Sequence, residues 1–258
     1  MSINHMKLLM KAIYTSILAL ALSTSALQAH ASILTASNDF QAAAPGWIYA
    51  SGSSKIVSAE KDPSNKVLQF TGNHNEAVKF GFAKQGDDMF VSFDFSYTGT
   101  MTRNTFIGVS FGGQVSSPSI GIKANCDDAS GVCKNDVFVR MSDKTTVMMA
   151  GSDLAPKTNY TIFGRLYKEK GSTTYNRFDA WLDPTTAELQ SLMGWNASAT
   201  GKTTLSSVDT LGIRTAFLDG KSTLQIDNLE VSQVPEPGIL SLFGLALAGV
   251  ALSRRKRA

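Results

Sequence analysis

The sequence predicts an all-β fold, an antiparallel β-sandwich of jelly-roll type, on three observations. Between Ser32 and Gln233 apolar and polar residues alternate in short runs, which is the period of half-buried strands. Gly, Asn, Asp, Ser and Pro break those runs at short intervals, as turns require. No amphipathic helical stretch separates one run from the next, so the strands pair as antiparallel neighbours and stack as two sheets. Once its two ends are set aside, the 258-residue chain leaves roughly 200 residues, enough for one domain with a real core.

Taken in order, the predicted strands cover Val67–Phe70, Ala77–Phe82, Met89–Phe95, Phe106–Phe111, Val137–Met141, Tyr160–Tyr167, Arg177–Leu182, Thr210–Arg214 and Leu224–Val231. Only Pro184–Leu192 has helical spacing, through Ala187, Glu188, Leu189 and Leu192, and it supports one or two turns. Residues 232–237 read as a linker.

The N-terminal end has the three parts of a secretory signal. Lys7 and Lys11 give the positive start, Ala12–Leu22 the apolar run, and Ala29-His30-Ala31 the small-x-small cleavage site. The apolar run is too short to cross a hydrocarbon core of about 30 Å, so it reads as a cleavable signal helix for the Sec export machinery, with Ser32 opening the mature chain.

The basic balance of the chain, +3, comes from its ends. Six of the 24 basic residues and one of the 21 acidic ones lie outside 32–233, which leaves 18 against 20, a net of −2. A body without a basic stripe argues against nucleic acid as a partner, since that affinity rests on phosphate neutralisation. Cys126 and Cys133 flank a short loop in a chain bound for an oxidising compartment and are expected to form a disulfide. His74 is the one histidine of the body, so neither a zinc site nor a His-based nucleophilic triad is expected. Asp127, Asp128, Asn135 and Asp136 gather oxygen ligands beside the disulfide without any calcium-loop spacing, and they read as a solvated acidic loop. No metal or other cofactor is expected.

At the C-terminal end Val234-Pro235-Glu236-Pro237 stops regular structure, because each proline lacks an N–H and disfavours helix in the residue before it. Ile239–Leu252 follows, apolar on every face of a helix, and Arg254-Arg255-Lys256-Arg257 closes the chain as a basic stop. Fourteen residues reach only about 21 Å at helical rise, so the stretch is expected to be a short, marginal transmembrane helix. Motif, apolar helix and basic cluster together resemble the PEP-CTERM sorting domain. The resemblance implies that an exosortase recognises the tail, that cleavage falls near the Pro-Glu-Pro motif, and that the protein passes to the cell surface or extracellular matrix. The chain is thus expected to comprise a signal peptide (1–31), a β-sandwich domain (32–233) and a sorting signal (234–258). It is expected to be anchored transiently in the inner membrane as a precursor.

For the body, Asp94, Asp179, Asp183, Asp227 and Glu230 are the carboxylates to weigh for glycoside hydrolysis. The stretches 159–184 and 226–231 resemble concanavalin-like and laminin-G-like sandwiches. The catalytic strand motif of that fold, Glu-x-Asp-x-x-Glu, is missing, so no enzymatic role is expected. A structural or adhesive role in a biofilm is the main expectation, and binding of extracellular polysaccharide the alternative. Of the aromatic residues Trp47, Tyr49, Tyr97, Tyr175, Trp181 and Trp195, the loop-like Trp47 and Trp195 are the candidates for stacking on sugar rings, while Trp181 reads as core.

Overall fold

A computed structural model describes residues 33–42, 47–49, 54–72, 74–112, 117–126, 133–142, 145–149, 151–218 and 221–234. Among them are fifteen strands and one short helix. One sheet runs in the order β13 (Ala197–Thr200), β12 (Arg177–Leu182), β11 (Tyr160–Tyr167), β6 (Asp88–Thr98), β15 (Thr223–Val234), β4 (Lys66–Phe70) and β3 (Ser54–Ser58). Its eighth strand, β1 (Ile33–Asn38), also pairs with β15. The other sheet runs β10 (Thr146–Met148), β9 (Cys133–Arg140), β8 (Ser119–Cys126), β7 (Phe106–Phe111), β14 (Val208–Ala216), β5 (His74–Gln85) and β2 (Trp47–Tyr49). Every pairing is antiparallel.

Alternation explains the layering. In β6, Met89, Val91, Phe93, Phe95 and Tyr97 are buried in the core while Ser92, Asp94, Ser96 and Thr98 point to the opposite face. Facing them, β7, β8, β9 and β14 supply Val109, Phe111, Ile120, Ile122, Val137, Val139, Leu211 and Ile213. Phe111 and Phe178 meet edge to face across the two sheets, 5.8 Å between centroids. The sheets close on each other tightly at Gly164. A methyl group there would stand 2.8 Å from Ile120 Cδ1 and 2.9 Å from Phe178 Cε2.

Strand β15 joins the two halves of its sheet and carries the feature that shapes the site. Leu224 and Ile226 face the core, and so do Leu229 and Val231, which breaks strict alternation. The break is a β-bulge: Asp227 lies opposite Asp94 and Glu230 opposite Ser92, three steps on β15 against two on β6. Asn228 supplies the extra residue and adopts the left-handed conformation, φ 47°, which asparagine tolerates better than most residues. On its other edge β15 pairs with β4 as far as Ile226 and with β1 from Leu229 onward, so the bulge falls where the partner changes.

The predicted helical segment contains α1 (Thr186–Ser191). Thr185 caps it, accepting from Glu188 N, while Glu188 Oε2 accepts from Thr185 N at 2.8 Å. At roughly 9 Å this helix cannot cross a bilayer core of about 30 Å.

The fold class is therefore corrected to the sandwich alone. Among the described residues no helix is long and apolar enough to cross a membrane. The expected signal helix with Ala29, Ala31 and Ser32 lies outside the described residues. So do Pro235, Glu236, Pro237, the expected span 239–252 and the basic stop Arg254, Arg255, Lys256 and Arg257. No span among the described residues supports the expected transmembrane helix, the inner membrane as a partner or the membrane-anchored precursor, and these are withdrawn. Val234 closes β15.

Candidate functional site

The outer face of the eight-stranded sheet carries a groove of about 200 Å³. Its floor is the outward side of β6 and β15, with Asp94, Ser96 and Thr98 beside Gln225, Asp227 and Asn228. The turn before β4, with Glu60, Lys61 and Asn65, makes one wall, and Lys157 and Asn159 before β11 make the other. That volume lies below the ~300 Å³ of pockets for drug-sized ligands and suits a single sugar ring or a group of similar size.

Asp94 and Asp227 stand directly opposite each other on adjacent strands. Cβ atoms in that relation lie about 5 Å apart. The Asp94 carboxylate accepts from Thr161 Oγ1 at 2.7 Å and from Asn228 Nδ2 at 2.7 Å. Asp227 accepts from Asn65 Nδ2 at 2.8 Å and from the backbone N–H of Asn228 at 2.8 Å. The bulge is thus what aims Asn228 at both.

The amides are organised as well. Ser96 Oγ donates to Gln225 Oε1 at 3.3 Å, and Gln225 Nε2 to Gln69 Oε1 at 3.0 Å, which fixes the orientation of Gln225 along the floor. Across the mouth, Lys61 Nζ donates to the Lys157 carbonyl at 3.0 Å, and Lys157 Nζ pairs with Glu60 at 3.4 Å. Both partners of that ion pair are 63 % exposed, so it is screened and ties the rim only loosely.

A second polar cluster sits toward the opposite end of the same face. Buried Asp179 accepts from Tyr167 Oη at 2.9 Å, from Arg177 Nε at 3.1 Å and from Ser198 Oγ. Burial first, then the hydrogen bond to Asp179, pushes the Tyr167 phenol up to about 12. Arg165 lies 4.2 Å from the Tyr167 ring centroid and binds Asp88 at 2.5 Å. Trp195, 39 % exposed, has the Arg177 guanidinium 5.7 Å from its ring.

These positions sort the sequence candidates. Trp195 is an exposed ring on the face that bears the groove, whereas Trp47 heads β2 on the other sheet, opposite Phe80. Trp181 is fully buried, but it is not part of the core between the sheets. Three residues from Phe178 in a strand, it faces outward, packs on Phe163 at 5.4 Å and donates from Nε1 to the Met193 carbonyl at 3.0 Å. Tyr97 and Tyr175 are buried and offer no platform. Burial also pushes the Tyr175 phenol upward.

Cys126 and Cys133 form the expected disulfide, directly opposed on β8 and β9. Of the acidic stretch beside it, Asp127 and Asp128 lie outside the described residues. Asp136 is buried rather than solvated. It holds the neighbouring loop by accepting from Ser152 Oγ at 3.0 Å, Asp153 N at 3.1 Å and Asn125 Nδ2 at 2.9 Å. Among the described residues no group of three or more His, Cys, Asp or Glu is placed to hold a metal ion.

Residues 233–256 match the PEP-CTERM protein-sorting motif, so the chain carries a signal for export and processing. None of the curated proteins is similar to it in sequence. Among solved structures, the carbohydrate esterase vb_24B_21 of the Shiga toxin-encoding bacteriophage phi24B is 11 % identical at a TM-score of 0.46, covering 74 % of this chain and 91 % of that one. The xylan β-1,4-xylosidase of Bacillus halodurans C-125 is 13 % identical at 0.46, covering 76 % of this chain and 39 % of that one. This chain therefore spans about two fifths of the xylosidase. The exoplasmic domain of VIP36 in its Ca²⁺/Man3GlcNAc-bound form is 12 % identical at 0.43, covering 75 % and 90 %.

Likenesses this distant assign no activity. The flat expectation that the chain is not an enzyme is nevertheless corrected. The similar structures include glycoside hydrolases and a carbohydrate esterase, and the missing strand motif by itself does not exclude hydrolysis, since one fold hosts many chemistries.

Proposed function

We propose that this chain is an exported, exosortase-sorted protein whose β-sandwich binds carbohydrate, with extracellular polysaccharide as its ligand. The observation that carries the reading is the groove over β6 and β15, lined by carboxylates, amides and hydroxyls on a rigid sheet. Sugar hydroxyls both donate and accept hydrogen bonds, and Asp, Asn, Gln, Ser and Thr are the side chains that answer both roles. Much of their orientation is set before any ligand arrives, by the Asn228, Asn65 and Gln225 hydrogen bonds, which lowers the entropic cost of binding. Trp195 adds an exposed ring on the same face for a further sugar unit of a polymer. The sorting motif is consistent with this, since it directs the chain outward. The groove favours sugar binding over a purely structural or adhesive role in a biofilm.

The test is a glycan array and a pull-down on the host's own polysaccharide with the exported protein. Asn228→Gly and Asn65→Ala should each weaken binding about tenfold, the effect of roughly one lost hydrogen bond. Absence of binding to any glycan, or affinities that ignore both substitutions, would sink the reading.

A further inference from the structure

We propose that the groove selects sugars bearing a free ammonium, so that its ligand is a polysaccharide of de-N-acetylated hexosamine rather than a neutral, N-acetylated or uronate polymer. This rests on the sugar-binding reading and adds the charge of the ligand to it. The basis is the charge balance inside the groove. Asp94 and Asp227 face each other across neighbouring strands, an arrangement that is unfavourable for like charges. Their hydrogen bonds come from neutral donors only: Thr161 Oγ1 and Asn228 Nδ2 to Asp94, and Asn65 Nδ2 and Asn228 N to Asp227.

The two lysines that line the groove bond to groups other than Asp94 and Asp227. Lys61 Nζ binds the Lys157 carbonyl, and Lys157 Nζ binds Glu60. The same sheet face shows the contrasting treatment. Asp88 is neutralised by Arg165 at 2.5 Å and Asp179 by Arg177 at 3.1 Å. Asp88 and Asp179 are thus paired with arginine, whereas Asp94 and Asp227, which open into the cavity, are left to neutral donors.

An ammonium answers both carboxylates at once, because it has three donors and a charge that removes their repulsion. On a hexosamine ring it sits beside hydroxyls that Gln225, Ser96 and Asn159 can meet along the groove. An acetamido group brings no charge to the pair, and a uronate would add a third negative one. Ligand charge is therefore the property the groove discriminates.

The experiment is calorimetric titration of the purified exported protein, in chelator-containing buffer, with glucosamine tetrasaccharide and with N-acetylglucosamine tetrasaccharide. The de-N-acetylated oligomer should bind at least about tenfold more tightly, with an advantage that shrinks as salt rises. Asp94→Asn combined with Asp227→Asn should erase that advantage, since the charges go while each side chain keeps one acceptor oxygen. Asp94→Asn alone should reduce it, which keeps the test readable if the double variant folds poorly. Equal or tighter binding of the N-acetylated oligomer overturns the charge inference and leaves sugar binding standing, as does binding of a neutral polysaccharide but of neither oligomer. No binding to any sugar overturns both. Binding that appears only when Ca²⁺ is added overturns the inference in favour of a bridging metal.

Discussion

Deleting Asn228 tests the bulge as the device that shapes the groove. Without the extra residue β15 becomes a regular strand: Ile226, Leu229 and Val231 keep the core face, Asp227 and Glu230 keep the outer one, and Glu230 stays opposite Ser92 with Leu229 opposite Phe93. The burial of Leu229 and Val231, each 1 % exposed and each worth about 1.5 to 3 kcal/mol, is therefore retained. What is lost is the pair of hydrogen bonds from Asn228, Nδ2 to Asp94 and N–H to Asp227. Hydrogen bonds to charged groups contribute about 1.5 to 3 kcal/mol each, and the exposure of Asn228 places these at the low end, so the loss should stay below about 3 kcal/mol. Asn228→Gly is the control. It keeps the residue count and the left-handed φ of 47° and removes only the amide that donates to Asp94. Urea unfolding of the exported protein, followed by tryptophan fluorescence, should show the deletion variant folded and within about 3 kcal/mol of the parent, and the glycine variant within about 1 kcal/mol. Sugar binding by the deletion variant should fall by at least about tenfold. A deletion variant that unfolds outright, or that binds as the parent does, would refute the bulge as a feature that serves the groove rather than the core.

Two further outcomes are expected. Replacing Cys126 and Cys133 by serine should cost about 2 kcal/mol, the loop-closure entropy of a bridge with sequence separation 7, and an equal loss on adding reductant to the parent checks that the effect belongs to the bond. Tyr167 holds its proton more tightly folded than unfolded, with a phenol raised to about 12, so its contribution is complete below pH 10 and is lost as pH rises through 12. After allowance for its partial exposure this amounts to about 1 kcal/mol. Tyr167→Phe should therefore lose less stability than the parent between pH 10 and 12, and identical alkaline limbs in the two urea series would contradict the assignment.

The strands that the sequence makes legible are those with one wet face. Met89–Phe95 alternates because its odd positions look into the core and its even ones out, and the structure has β6 there. Strand β8 escapes such reading: Ser119, Ile120, Gly121 and Ile122 are all buried, so no polar face marks the period. Gly121 packs so closely that a methyl group would stand 2.0 Å from the Ile107 carbonyl oxygen. Strands β2, β3, β10 and β13 are only three to five residues long, too short for a local pattern to register, and β1 finds its partner β15 at the far end of the chain. The site divides in the same way. Asp94 and Asp227 are visible as carboxylates in strands, but so are Asp179 and Glu230, and only the β6–β15 register tells them apart. Asn65, Lys61, Lys157 and Asn159 lie in turns and loops whose positions follow from the sheet alone, and no sequence signal would have singled them out.

Asp94 and Asn228 are 134 residues apart, and the strand that brings them together is the last one described. The groove therefore does not exist until β15 has docked between β6 and β4. Seven residues after Asn228 the chain reaches Pro235, and the sorting motif begins at 233, while β15 still pairs through Val234 with Asp88. Groove and sorting signal thus share a strand. Val231 is a core residue, so a cut before it would remove both an apolar anchor and the pairing with β1. Processing that preserves the sandwich must leave β15 whole at least through Val231. The proline-rich segment after Val234 meets that condition, because proline cannot extend the ladder and so marks where the fold's demand on the chain ends and the sorting machinery's begins.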